Sequence, residues 1–161
     1  MFPLPGPCVD NIGVLVEEDR VLFAGDAFMS LPYIVDGNID ETTASLKKIG
    51  KMGLENIVPG HGDIVLRGEI EGSIKENLAY LSAIRKVVRK ASRRKYPADI
   101  LNEYSVETCG KSRVLIGGLA EELHKRNLRA LYRQLYGEIP RSAPHDGDYD
   151  DEDDEFEEEE E

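Results

Sequence analysis

The chain has 161 residues, 40% of them apolar and 32% charged, enough for one domain with a packed core. Its formal charge is −12, yet 13 of its 32 acids fall in residues 146–161, leaving 19 acids against 20 bases elsewhere. A nearly neutral body with one acidic end excludes a uniformly acidic, salt-adapted surface and a generally basic nucleic-acid binder. No run reaches the roughly 18–20 apolar residues of a membrane helix. The opening Met1-Phe2-Pro3-Leu4-Pro5-Gly6-Pro7 has no basic region and too many prolines for a signal peptide. Cys8 and Cys109 are the only cysteines and lie far apart in sequence, so neither a disulfide framework nor a CxxC knuckle is expected. The expected location is cytoplasmic.

Residues 12–16 and 21–24 are short β-rich runs joined by Glu17-Glu18-Asp19-Arg20, which predicts a hairpin. The second run stops at Gly25-Asp26. Asp40 suits the N-cap of a helix over 40–51, with Ala44, Leu46 and Ile49 as its apolar contacts and Gly53 as its stop. Residues 56–58 form a short buried-strand candidate, cut off by Pro59-Gly60-His61-Gly62. The first 66 residues therefore read β-β-α-β, an α/β segment.

The remainder reads as helical. Ile70, Ile74, Leu78, Leu81, Ile84, Val87 and Ala91 recur every three or four residues, which predicts a long amphipathic helix. Pro97 opens a short helix over 97–104, where its missing N–H is harmless. A second long helix is predicted over 112–136, built on Ile116, Leu119, Leu123, Leu128, Leu131 and Leu135. Gly117 and Gly118 weaken its start by up to about 1 kcal/mol each, and Gly137 and Pro140 end it. From residue 144 the chain is of low complexity. Thirteen acids in sixteen residues bury too little apolar surface to offset ordering entropy. The expected organisation is a domain over 1–140 followed by a disordered acidic tail over 141–161, serving solubility or docking to a basic partner.

Two stretches place ligand-type side chains where buried strands end. Val21-Leu22-Phe23-Ala24-Gly25-Asp26 sets a carboxylate on one turn, and Ile57-Val58-Pro59-Gly60-His61-Gly62 sets an imidazole on another, between glycines that permit close backbone approach. Ligands gather at strand ends in α/β folds, and an Asp with a His suits a zinc-class metal. Each turn alone has a structural reading. Asp26 could cap its turn, and His61 could hydrogen-bond across its loop.

In this order, about 35 residues apart, the stretches "VLFAGDAF" and "IVPGHGD" resemble the two C-terminal metal-ligand motifs of the metallo-β-lactamase superfamily, the glyoxalase-II-like metallohydrolases. "LPGPCVDNIGVLV" aligns without gaps with the family's "TPGHTPGSIGV", and "ELHKRNLRALYRQL" is similar to the C-terminal helix of many hydrolase-like members. The resemblance covers residues 4–136. It implies the C-terminal half of a four-layer αβ/βα sandwich, followed by long helices and the tail. It also implies Asp26 as the metal-bridging aspartate and His61 as the last histidine ligand, in a site of two zinc ions. Pro7 stands where the "PGH" histidine would be, and the N-terminal half with its HxHxDH motif is not among these residues. Cys8, beside Pro7, is the candidate substitute ligand, against the reading of an inert buried thiol.

Only three histidines are present, His61, His124 and His145, and only His61 lies in a matching motif. A catalytic zinc takes about three protein ligands with water in the open position. The expectation is therefore a metal-dependent hydrolase fold, truncated and inactive as this chain alone. It would need a complementing N-terminal half or a homo-oligomeric partner, because half the sandwich leaves an apolar sheet face uncovered. Thioesters, lactones, phosphodiesters and β-lactams are all substrates within the family, so the resemblance implies a small-molecule substrate without choosing one. The competing reading is a degenerate, non-catalytic binding module, using the basic helix face for a partner or nucleic acid. That face carries seven bases in residues 85–95, which spacing makes a solvated helix surface. No membrane partner is expected, and nucleic acid ranks below the solvated-surface reading. His124 and Asn127, one turn apart, read as helix-surface or packing residues.

Overall fold

The computed structural model describes residues 1–140 and 142. Of the expected acidic tail only Ser142 falls within the described residues, so the disorder read from its sequence lies outside them. The elements run β1 (Phe2–Pro3), β2 (Ile12–Val16), β3 (Val21–Gly25), α1 (Ile39–Ile49), β4 (Asn56–Pro59), β5 (Val65–Leu66), α2 (Arg67–Ala91), α3 (Pro97–Glu103) and α4 (Ala120–Tyr136). No helix among the described residues is long and apolar enough to cross a membrane.

The five strands form one sheet in the order β1-β2-β3-β4-β5. β2 and β3 make the antiparallel hairpin that the polar link 17–20 predicts. β3 and β4 are parallel, with Leu22 opposite Ile57 and Phe23 opposite Val58. A parallel pair needs a crossover, and α1 supplies it. Side chains alternate across the sheet. Leu22, Ala24 and Ile57 are buried in one cluster with Ile39, Leu46 and Ile49 of α1 and Ile70 and Ile74 of α2. The opposite face carries Ile12, Val14, Phe23 and Leu66, all exposed, with Val14, Phe23 and Val58 in one cross-strand row. A sheet with apolar side chains on both faces but helices on only one has an uncovered packing surface.

Several boundaries differ from the sequence expectations for physical reasons. Asn38, not Asp40, caps α1, its side-chain oxygen accepting from the N–H groups of Asp40 and Glu41 at 2.8 and 3.2 Å. The Asp40 carboxylate is engaged by Arg85 instead, at 2.6 Å. Ala44 is not among the buried residues of α1, and Thr42 and Ser45 take its place on the buried face; the Ser45 hydroxyl donates to the Pro5 carbonyl. β1 and β5, two residues each, carry too few side chains to show any period. The second long helix begins at Ala120 rather than 112. Gly117 and Gly118 sit at φ +62° and +90°, so they break the helix rather than weaken it, leaving a 3₁₀ turn at Ile116–Gly118. Leu119 and Leu135, expected on the apolar face, are exposed.

His124 and Asn127 are fully buried and form part of a polar clamp. Asn127 accepts from the Ile34 N–H at 3.0 Å and donates to the Pro32 carbonyl at 2.7 Å and to the Tyr80 hydroxyl at 3.1 Å. Asn77 of α2 donates to the Met29 carbonyl at 2.8 Å. His124 Nε2 lies 3.1 Å from the Tyr104 carbonyl, which can only accept, so the ring proton sits on Nε2. Nδ1 then accepts from the Tyr80 hydroxyl, also at 3.1 Å. Burial pushes the His124 pKa down and the Tyr80 pKa up, which keeps both neutral in this arrangement. The helices thereby hold the loop that follows β3 at three backbone groups.

Each neutral hydrogen bond contributes about 1 kcal/mol net, but a buried orphaned partner costs about 1–3 kcal/mol. Asn127→Ala strands the Ile34 N–H and the Pro32 carbonyl, so a loss of about 2–5 kcal/mol is expected in urea unfolding. Arg126→Ala, which removes only the exposed pair with Glu122, should change stability by less than about 1 kcal/mol.

Candidate functional site

Asp26 follows the last residue of β3 and His61 follows β4 by one glycine. Because these strands are parallel neighbours, their C-terminal ends lie side by side, with Gly25 in register with Pro59. The ladder extends one step further, the Gly60 N–H donating to the Gly25 carbonyl at 2.8 Å. The two turns are thus fixed by backbone, and the side chains they carry meet. His61 Nδ1 lies 2.8 Å from Asp26 Oδ1.

This pair is open to water, with side-chain exposures of 63% for His61 and 41% for Asp26. An exposed pair of this kind contributes about 0–1 kcal/mol, too little to organise two loops. The geometry comes from the strands and from the chain before and after them. The Asn11 side-chain amide donates to the carbonyls of Leu4 and Ala24, at 2.9 and 3.3 Å, tying the segment before β2 to the end of β3. The clamp of Asn77 and Asn127 holds the loop after Asp26. Sequence reading missed Asn11 and Asn77. The signal for Asn77 was its place on the apolar stripe of α2, where a polar side chain must find a partner.

The remaining sequence candidates are placed elsewhere or add no donor. Pro7 is buried and has no side-chain lone pair. The Cys8 thiol hydrogen-bonds with Asp10, which together with burial raises its pKa and disfavours the thiolate a metal would take. Cys109 is buried and unpaired. Among the described residues no group of three or more His, Cys, Asp or Glu side chains could hold a metal ion. A catalytic zinc needs about three protein ligands, so the two donors Asp26 and His61 do not fit a metal centre by themselves. What they can do unaided is exchange a proton within one hydrogen bond or contribute two ligands to a larger set.

Gly60 is the residue that lets the two turns close. A Cβ there would overlap Asp26 Oδ1 and come within 3.0 Å of the Gly25 carbonyl carbon, which is backbone and cannot yield cheaply. Gly60→Ala is expected to cost about 1–3 kcal/mol and to separate the Asp26 and His61 side chains. Gly68→Ala, where nothing lies within 4 Å of the added carbon, should leave stability unchanged or slightly raised. Urea unfolding of both variants checks this.

No family model matches the chain. Curated relatives do. A thioesterase, pkgB, of Emericella nidulans is 37% identical over 62 residues, 38% of this chain and 18% of the relative. A β-lactamase-like protein 2 homolog of Caenorhabditis elegans is 31% identical over 65 residues, 40% of this chain and 22% of the relative. A lactamase-like protein, vrtG, of Penicillium aethiopicum is 30% identical over 61 residues, 38% of this chain and 20% of the relative. The matched stretch thus spans about a fifth of these relatives. A crystal structure of a metallo-β-lactamase family protein from Thermus thermophilus superposes with a TM-score of 0.55 at 16% identity, covering 88% of this chain and 45% of that one. In sequence, over about two fifths of its length, the chain is similar to a thioesterase and two lactamase-like proteins, and in fold, over most of its length, to a metallo-β-lactamase family protein.

Proposed function

We propose that the chain carries the C-terminal half-site of a metallo-β-lactamase-fold hydrolase, with Asp26 and His61 as its two metal-facing donors and the other donors supplied from outside residues 1–161. The observation that carries this reading is the 2.8 Å approach of Asp26 and His61 at the ends of neighbouring parallel strands. The sheet face bearing Ile12, Val14, Phe23 and Leu66 is the seat for the complementing half, which brings HxHxDH. Taken alone the chain is inactive, since two donors hold zinc too weakly for it to activate a water. The thioesterase among the matched relatives supports an acyl thioester or ester as the substrate class of the completed site. The free thiols of Cys8 and Cys109 support a reducing, cytoplasmic setting.

A non-catalytic binding role is the second reading, favoured by Pro7 in the place of the "PGH" histidine. Zinc titration separates the two. For the chain alone, the expected dissociation constant is no tighter than about 10 µM, or about 7 kcal/mol, well short of the roughly 10–16 kcal/mol of closed zinc sites. His61→Ala should weaken it further. Adding the HxHxDH-bearing N-terminal half of a relative should tighten zinc binding at least about tenfold under the half-site reading. Unchanged affinity supports the binding module, and a submicromolar site in the chain alone contradicts both readings.

A further inference from the structure

The C-terminal end of α2 carries a dense run of cations, and the site at Asp26 and His61 does not use it. Lys86, Arg89, Lys90, Arg93 and Arg94 line one groove there, and Lys95 follows. Lys90 donates to the Tyr104 hydroxyl at 2.7 Å, and Lys95 stands over the Tyr96 ring. Lys86, Arg89, Arg93 and Arg94 have no ion-pair partner among the described residues. Helix ends favour cations, but only in the last turn and by about 0.3–1 kcal/mol each. Like charges three and four residues apart cost several tenths of a kcal/mol per pair. The concentration of six cations on one end of a nearly neutral body therefore calls for a counter-charge.

We propose that the acidic segment 150–161 of the same chain seats on this basic groove. Charge complementarity is direct: the segment holds eleven acids in twelve residues. Its attachment point is also near. The Gln134 side chain in the last turns of α4 donates to the Gly37 carbonyl at 3.0 Å, and three residues on Asp40 pairs with Arg85, the first cation of the run. Ile139 still packs against the core, so the chain stays on the described body for three residues past α4. From Arg85 to Arg94 the helix spacing gives roughly 14 Å. A seven-residue linker such as 143–149 has a reach of about 20 Å, more than the length of the groove. Tethering of this length sets a millimolar effective concentration. An external polyanion such as nucleic acid would compete with the segment for the same cations.

Zero-length carbodiimide coupling of the full chain, followed by peptide mapping, joins carboxylates to lysines they touch. At low salt, links within one chain from residues 150–161 to Lys86, Lys90 or Lys95 are expected. They should fall at least about fivefold in 0.5 M NaCl, where the Debye length is only a few ångströms. The same fall is expected in the triple variant Arg89→Gln, Arg93→Gln, Arg94→Gln, which keeps all three coupling lysines. Links spread equally over Lys47, Lys48, Lys51 and Lys75, or formed only between chains, would overturn the proposal. In a second arm, a 20-nucleotide single-stranded DNA should bind about tenfold more tightly once all eleven acids of 150–161 are replaced by their amides. Equal affinity before and after that replacement would mark the groove as an open nucleic-acid surface and overturn the proposal as well.

Discussion

The parallel pairing of β3 with β4 governs the candidate site. Two strands that run in the same direction end at the same edge, so the turns after them face one another, and the Gly60 N–H to Gly25 carbonyl bond carries that alignment one residue past the ladder. Asp26 and His61 meet because of this backbone arrangement, and their own attraction across an open, hydrated edge is too weak to bring them together. The cost of the parallel pair is a crossover, and the chain meets it with the loop 27–37 and α1. That loop carries Ala27, Phe28, Met29 and Leu31 into the core, and its backbone groups are answered by Asn77 and Asn127 from the helices behind. A buried segment without regular structure needs such partners for its N–H and carbonyl groups.

The same sheet bears on the proposed half-site. One face is sealed by α1 and α2, and the other presents Ile12, Val14, Phe23 and Leu66 to water. In the Thermus thermophilus protein this chain corresponds to 45% of the length, so more than half of that molecule has no counterpart here. Under the proposed half-site, the uncovered face and the short donor set share one origin. The layer that would pack on the sheet is also the layer from which further ligands would come in a two-sheet sandwich.

Much of this was legible in the sequence. The hairpin followed from two β-rich runs with a polar link, the long helix α2 from apolar spacing, and Asp26 and His61 from turns that interrupt apolar strands. Their separation of 2.8 Å was not legible, because it depends on pairing between strands 35 residues apart. Asn38 displaced Asp40 as the cap because its side chain reaches two N–H groups while Arg85 engages Asp40. Propensity weighed Gly117 and Gly118 as small penalties, whereas consecutive positive φ angles end a helix outright. His124 and Asn127 looked like surface or packing residues because a helical stripe reports burial and not hydrogen bonding. The clamp emerges only once the loop 27–37 is brought against Asn127, with His124 bonded to the Tyr80 hydroxyl behind it.

Convergence of the two strand ends is tested most directly by a nuclear Overhauser measurement on the His61 ring of the uniformly labelled chain. Contacts are expected from the His61 ring protons to the Asp26 Hβ protons, present without added metal and lost in Gly60→Ala. Contacts confined to neighbours within residues 62–64, with none to Asp26, would contradict the meeting of these two turns on which the reading of this protein rests.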